Sequence, residues 1–344
     1  MTVPKSERDL TPWLVGESDE TRALRELILR LAPSDLPIWI EGETGVGKEQ
    51  AALALHAASG RGGAFVPVNV CAIAATMFED AFFGHVRGAF TDSRSETYGH
   101  LGEANDGTLF LDEINGLPLE AQAKLLRAVE TGRYRQVGAR HDRRSRFRVI
   151  AAANESFDQM LTRGRFRPDL GYRLRGAVLK VLPLRARRAD LRALAVHFLS
   201  TGPAGRADRL TDGGLEWLES QEWRGNVREL RQLLSCAQLL AAGDHVGVGD
   251  LRAARVMVPV GLAAGPEPTD ATWIRERAEL LALLDACAWK TQRAAIELGV
   301  DRTTIYRRMR RLEIVAPRAG GAAGPYAWAP IGRQLGAHAP PPAS

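Results

Sequence analysis

The decapeptide EGETGVGKEQ, Glu41 to Gln50, constrains this chain more than any other stretch. It follows the apolar run Leu36-Pro37-Ile38-Trp39-Ile40, which reads as a buried strand, and precedes AALALHAAS, whose alanines and leucines read as a helix. A glycine loop between strand and helix is the setting in which backbone N–H groups can cradle phosphate. Gly42, Gly45 and Gly47 allow the tight turns this requires, and the helix that follows adds the positive end of its dipole. Lys48 brings a full charge to the outer phosphates, so the spacing G-x-x-x-x-G-K is met by Gly42, Gly47 and Lys48. Glu43, Thr44, Val46 and Glu49 complete the candidate nucleotide-binding set. Glu49 stands where the general pattern has a Ser or Thr hydroxyl for Mg²⁺.

Alone, such a loop could be a glycine-rich turn. The stretch GTLFLDEI, Gly107 to Ile114, argues otherwise, because an apolar strand ending in two acids is the second half of a phosphate site. Asp112 can hold magnesium through water, and Glu113 can orient or deprotonate the attacking water. An acid pair at a strand end is often a solvated cap, but the two signals in this order point to an ATPase using ATP and Mg²⁺.

The chain has 344 residues, enough for two domains and a sizeable core. Its net charge of +5 and pI near 9.4 favour a polyanionic partner. Cys71, Cys236 and Cys287 lie far apart and suggest neither a metal set nor a disulfide framework. No apolar run approaches spanning length and no signal-peptide core opens the chain, so a cytoplasmic protein without membrane contact is expected.

A polar leader, residues 1–16, precedes an amphipathic helix from Ser18 to Leu31. Further strands are expected at Phe65–Val70, Leu109–Leu111, Val149–Ala152 and Leu179–Leu182, with helices between them. That alternation predicts an α/β unit over 17–187 with a parallel sheet covered on both faces. Residues 188–255 read as a helical lid, all helix from residue 190, carrying Trp217 and Trp223. Residues 256–270 read as a linker, 271–314 as a helical domain, and 315–344 as a disordered tail.

On these motifs the chain resembles the bacterial enhancer-binding proteins, the AAA+ activators of sigma-54 RNA polymerase. The resemblance runs from about Leu14 to Ile314. The family carries G-E-x-G-x-G-K-E, which accommodates Glu49, and the run DEINGLPLEAQAKLLRAVETGRYRQVG is similar to its stretch after the magnesium acids. The resemblance implies roles for further residues. Asn69 matches the switch asparagine coupled to the catalytic Glu, and Asn154 the sensor asparagine. Arg167 and Arg173 match the arginine fingers that reach a neighbouring subunit's ATP, and Arg228 matches the lid's sensor arginine. Fingers acting in trans imply a homo-oligomer, by resemblance a hexameric ring.

One loop departs from the family. Where relatives carry G-A-F-T-G-A at the tip that engages sigma-54, this chain reads Gly88-Ala89-Phe90-Thr91-Asp92-Ser93, and Val86 replaces the usual Glu of G-H-E. Phe90 and Thr91, the implied sigma contacts, are kept. The C-terminal segment TQRAAIELGV-DRTTIYRRMRRLEI reads as helix, Gly299 turn, helix, and is similar to the family's Fis-type helix-turn-helix. Asp301 can cap the last helix, in which Ile305, Met309 and Leu312 should face inward. Arg302, Thr303, Thr304, Arg307, Arg308 and Arg311 remain for DNA.

Relatives usually carry an N-terminal receiver or sensing domain, which this chain is expected to lack, so control would come from a trans-acting regulator, from expression level, or not at all. Two readings stay open here. One is an ATP-driven activator that binds upstream DNA and remodels sigma-54 polymerase. The other is a sigma-54-independent DNA-binding regulator that uses ATP for assembly, Asp92 marking a lost contact. A general AAA+ helicase or chaperone is disfavoured by the terminal helix-turn-helix.

Overall fold

Ile38, Trp39 and Ile40 are all fully buried, yet they face opposite ways. Trp39 joins Leu109, Leu111, Ala151 and Ala153 on one side of a sheet, while Ile38 and Ile40 join Phe110, Ile150 and Ala152 on the other. A strand covered on both faces has no polar side to alternate with, which is why this stretch reads as a continuous apolar run.

The computed structural model describes residues 3–89, 95–202, 209–258, 279–287, 289–311 and 314. Phe90, Thr91, Asp92, Ser93, Leu312, residues 259–278 of the expected linker and C-terminal domain, and the expected tail lie outside the described residues, as do the side chains of Arg307 and Arg311. The chain divides into two units, residues 1–263 and 264–344.

In the first unit, α1 (Asp19–Leu31) leads to β1 (Ile38–Glu41), α2 (Lys48–Ser59) and β2 (Phe65–Asn69). The short helices α3 (Phe78–Phe83) and α4 (Gly99–Glu103) precede β3 (Thr108–Asp112) and α5 (Leu119–Thr131). A hairpin of β4 (Arg133–Tyr134) and β5 (Arg143–Arg144) follows, then β6 (Arg148–Ala153), α6 (Phe157–Thr162), α7 (Pro168–Leu174) and β7 (Ala177–Lys180). The main sheet is parallel in the order β2-β3-β6-β1-β7. Leu24 and Ile28 of α1 and Ala51 and Leu55 of α2 cover one face; Phe78, Leu125, Phe157 and Leu170 cover the other. The buried Arg148 guanidinium donates to the carbonyls of Leu31 (2.9 Å), Ala32 (2.8 Å) and Leu36 (3.1 Å), so it closes the C-terminal end of α1. Burial pushes its pKa down to about 10.

The strand expected to reach Leu182 ends at Lys180. Val181 still donates to the Glu41 carbonyl at 2.8 Å, but Leu182 is largely exposed as the chain leaves the sheet before Pro183. Beyond it α8 (Asp190–Thr201), α9 (Asp212–Glu219), α10 (Asn226–Leu240) and α11 (Val248–Met257) pack around the fully buried Trp223, with Trp217 partly buried against the same core. The all-helix expectation for this lid is corrected by a parallel pair, β8 (Arg209–Leu210) and β9 (His245–Val246). Two-residue strands are too short to show any alternation in sequence.

In the second unit, residues 279–286 are helical, followed by helices Thr291–Glu297 and Arg302–Arg311 with Gly299 at φ +62° in the turn. Leu284, Ala294 and Ile305 form its core, and Met309 is buried with them. Among the described residues no helix is long and apolar enough to cross a membrane.

Candidate nucleotide-hydrolysis site

All five strands of a parallel sheet end on one edge, and ligands of such sheets bind beyond that edge. The loop Gly42–Gly47 leaves β1 there and turns into α2, with Gly45 at φ +80° and Gly47 at φ +102°. A Cβ on Gly47 would meet nothing within 4 Å, so its backbone conformation and not crowding calls for glycine there, whereas one on Gly45 would run into the Gly225 carbonyl of the lid. The Lys48 ammonium donates to the carbonyls of Gly42 (2.8 Å) and Glu43 (3.1 Å), which aims it across the loop. Burial pushes its pKa down, against the pull of Asp112 and Glu113. Glu49 is exposed on the first turn of α2.

β1 pairs with β6, and β6 with β3, so the acids that end β3 lie across the sheet edge from the loop. Burial pushes the Asp112 carboxyl up, with Lys48 acting against it. A half-buried carboxylate suits a divalent cation, and Mg²⁺ commonly takes one or two carboxylates plus substrate phosphates rather than an all-protein cage. Accordingly the fit is to Asp112 with phosphate oxygens; among the described residues no group of three or more His, Cys, Asp or Glu could hold a metal by itself. Glu113 adopts φ +54°, ψ +46°, a left-handed conformation that costs a non-glycine residue of order 1 kcal/mol. Its N–H donates to Asp112 Oδ1 at 3.0 Å, which ties the Asp112 carboxylate to the Glu113 backbone.

Asn69 pairs in register with Asp112, which sets it beside the acids. Its side-chain oxygen accepts from Ala72 N at 3.2 Å; among the described contacts the carboxamide caps the turn after β2 and does not reach Glu113. Asn154 is exposed just past β6, next to the loop because Ala153 pairs with Glu41. Arg228 is exposed on α10, and its N–H donates to the Gly45 carbonyl at 3.2 Å. Arg167, at the N-cap of α7, and Arg173, on its last turn, are both exposed, and neither makes a hydrogen bond or ion pair to the loop among the described residues. Asp169 accepts from Arg167 Nε at 3.0 Å and from Nη2 at 2.7 Å, while the Arg173 guanidinium has no hydrogen-bond or ion-pair partner among the described residues.

Three residues that hold the lid on the loop escaped sequence reasoning. Asn226 is fully buried at φ +55° and donates to Glu43 Oε2 and the Thr44 carbonyl, both at 3.1 Å, while accepting from Leu184 N at 2.9 Å. Arg185 forks the Glu43 carboxylate, which its hydrogen bonds and Asn226 hold below the usual range. The buried Arg187 donates to the Val46 carbonyl at 2.7 Å. The one available signal was the position of Asn226 in WRGNVREL, two residues before Arg228. Asn226→Gly keeps the left-handed backbone and drops the carboxamide, so it is expected to cost about 1–3 kcal/mol through unpaired buried groups. Asn226→Ala should cost about 1 kcal/mol more for the backbone. Urea unfolding measures both, and a glycine variant as stable as wild type would show that the clasp adds nothing.

In the second unit, Thr303 N–H donates to Asp301 Oδ1 at 2.8 Å, which caps the last helix. Arg302, Thr303 and Arg308 are exposed and Thr304 is half-buried. Tyr306, which the sequence reading passed over, accepts from Arg302 at 3.0 Å and from Thr291 at 3.3 Å, linking the two helices of the turn.

The family matches follow this anatomy. Residues 14–180 match the Sigma-54 interaction domain, residues 185–256 the AAA+ ATPase lid domain, and residues 273–312 the Fis-family bacterial regulatory protein. The DNA-binding transcriptional regulator NtrC of Rhizobium meliloti is 34% identical over 346 residues, covering 90% of this chain and 72% of that protein. The chain belongs to the sigma-54-dependent AAA+ transcriptional activators.

The acetoin catabolism regulatory protein of Cupriavidus necator is 41% identical over 308 residues; the match covers 85% of this chain but only 46% of that protein. The crystal structure of NtrX from Brucella abortus in complex with ATP is similar with a TM-score of 0.63 and 30% identity, over 89% of this chain and 72% of that one. The sigma-54 activator described here is thus an AAA+ ATPase with a parallel α/β unit, a lid and a Fis-type helix-turn-helix.

Proposed function

We propose that this activator works in the cytoplasm as a ring, hexameric like its family, in which each hydrolysis site is completed by a neighbour. The N–H groups of Gly42–Glu49 and the Lys48 ammonium hold the phosphates of ATP. Mg²⁺, held through water by Asp112, would supply charge at the phosphate oxygens. Glu113 orients and deprotonates the attacking water, Asn69 is the switch that couples to Glu113 when its carboxamide leaves the Ala72 N–H, and Asn154 is the sensor asparagine. Arg173 and Arg167 of one protomer reach the site of the next, where a guanidinium stabilises charge spread over the equatorial oxygens.

The observation that carries this reading is the junction at Gly45. Gly225 lies against it and Arg228 N–H binds its carbonyl, so the loop cannot shift without moving the lid. Through that junction hydrolysis becomes movement, delivered to sigma-54 by the loop bearing Phe90 and Thr91, while the arginines of the last helix hold upstream DNA. A trans-acting regulator would set when the ring assembles. Asp92 and Ser93 favour a second reading, a DNA-bound regulator whose ATPase no longer engages sigma-54.

A native-gel binding assay with sigma-54 and ADP-aluminium fluoride separates the two. A trapped complex is the expected result. Absence of a complex, from protein that turns over ATP, would leave the sigma-54-independent regulator standing.

A further inference from the structure

The β4–β5 hairpin sets two arginines where electrostatics disfavours them. Arg133 and Arg144 are directly opposed in the antiparallel register, so their side chains leave the same face and repel. Both are exposed, and neither guanidinium makes a hydrogen bond or ion pair among the described residues. From Arg133 to Arg146 the chain carries six arginines and a single acid, Asp142. That acid is already engaged by Arg127 at 2.7 Å and Arg135 at 2.8 Å. Arg143 turns to Glu96, Gln136 and the Tyr98 ring, and so does not relieve the pair.

Arg133, Arg144 and Arg146 line one groove of about 490 Å³ with Thr131, Ser145 and Phe147, and no acidic side chain lines it; Arg146 alone of the three has an ion pair, an exposed one to Asp35 at 3.3 Å, which phosphate can displace. A like-charged pair that meets Asp142 only through longer-range attraction to Arg133, with no direct ion pair, breaks the local consistency that folding favours, and such breaks mark functional sites. We propose that this groove binds the phosphate backbone of duplex DNA without regard to sequence, as a second DNA contact separate from the helix-turn-helix.

Three arginines spread along a hairpin match a row of phosphates better than a single anion. Duplex DNA presents one charge per ~1.7 Å of axis, enough to meet all three. The helix-turn-helix also keeps DNA at high local concentration, so a contact too weak to act alone becomes useful. The proposal goes beyond the activator reading and does not depend on sigma-54 engagement.

The test uses the full chain and a random-sequence duplex, with affinity measured against salt. Each phosphate contact contributes ~0.9 to the slope of log affinity on log salt. Arg133→Gln with Arg144→Gln should therefore lower the slope by about 1.8. Arg302→Gln with Arg308→Gln should lower it by a separate, additive amount. Arg133→Lys with Arg144→Lys keeps both charges and should keep most of the slope. Unaltered ATP turnover and an unlowered melting temperature in the Gln pair would confirm intact protein, since the change removes a repulsion. An unchanged slope in the Gln pair would overturn the proposal. So would a loss of assembly by sedimentation with the slope of the assembled protein unchanged, which assigns the arginines to a protein contact instead.

Discussion

Arg173→Ala is expected to lower kcat for ATP by ~10³-fold or more while ATP binding is retained, because a finger guanidinium acts on charge that develops only in the transition state. Its placement supports this. The side chain is exposed on α7, with no hydrogen-bond or ion-pair partner among the described residues to hold it, whereas Arg167 at the N-cap of the same helix is forked by Asp169. Arg173 can therefore turn toward a neighbouring protomer without breaking an existing pair. Mixing gives a stricter test than the single variant. A ring assembled from Arg173→Ala and Glu113→Gln protomers contains sites in which an intact Glu113 faces an intact Arg173 from the next subunit. Partial recovery of turnover in the mixture is the expected result. Turnover by Arg173→Ala at the wild-type rate would remove it from the site, and failure of the mixture to recover would remove the in-trans placement.

Glu113→Gln should lower kcat by ~10²–10⁴-fold, the usual worth of a positioned general base. The backbone strengthens that expectation. Glu113 is held at φ +54° between β3 and the turn at Ile114–Gly116, where glycine or asparagine would cost less. A strained conformation kept at the end of a strand, with its own N–H locked to Asp112 Oδ1, is more readily explained by the need to aim a carboxylate than by stability. Since Gln keeps the size and the backbone, nucleotide affinity should change little, and fluorescent-nucleotide titration beside steady-state turnover separates the two effects. Wild-type turnover would transfer the base role elsewhere.

Much of this could be read from the chain. The strand–loop–helix at Glu41–Gln50 and the strand ending in Asp112-Glu113 are local patterns, in which burial on both faces forces a continuous apolar run and phosphate binding forces glycines at set spacing. Ile305 and Met309 were placed inward by helical period alone, and both are buried. The β8–β9 pair escaped because two residues carry no period. The direction of the Asn69 carboxamide escaped too, since a side chain beside an acid pair still has a nearer backbone N–H to satisfy.

What the sequence determined by itself was therefore each piece whose physics is local: the loop, the acid pair, the sheet alternation and the helical faces. Only the tertiary structure decided how these pieces hold one another. Asn226 lies 182 residues from the carbonyl it binds at Thr44, and Arg187 lies 141 from the one it binds at Val46. The like-charged pairing of Arg133 with Arg144 likewise depends on the register of a hairpin. The reason is that such contacts use single polar groups once, at positions set by the packing of whole elements, and so leave no repeating mark along the chain.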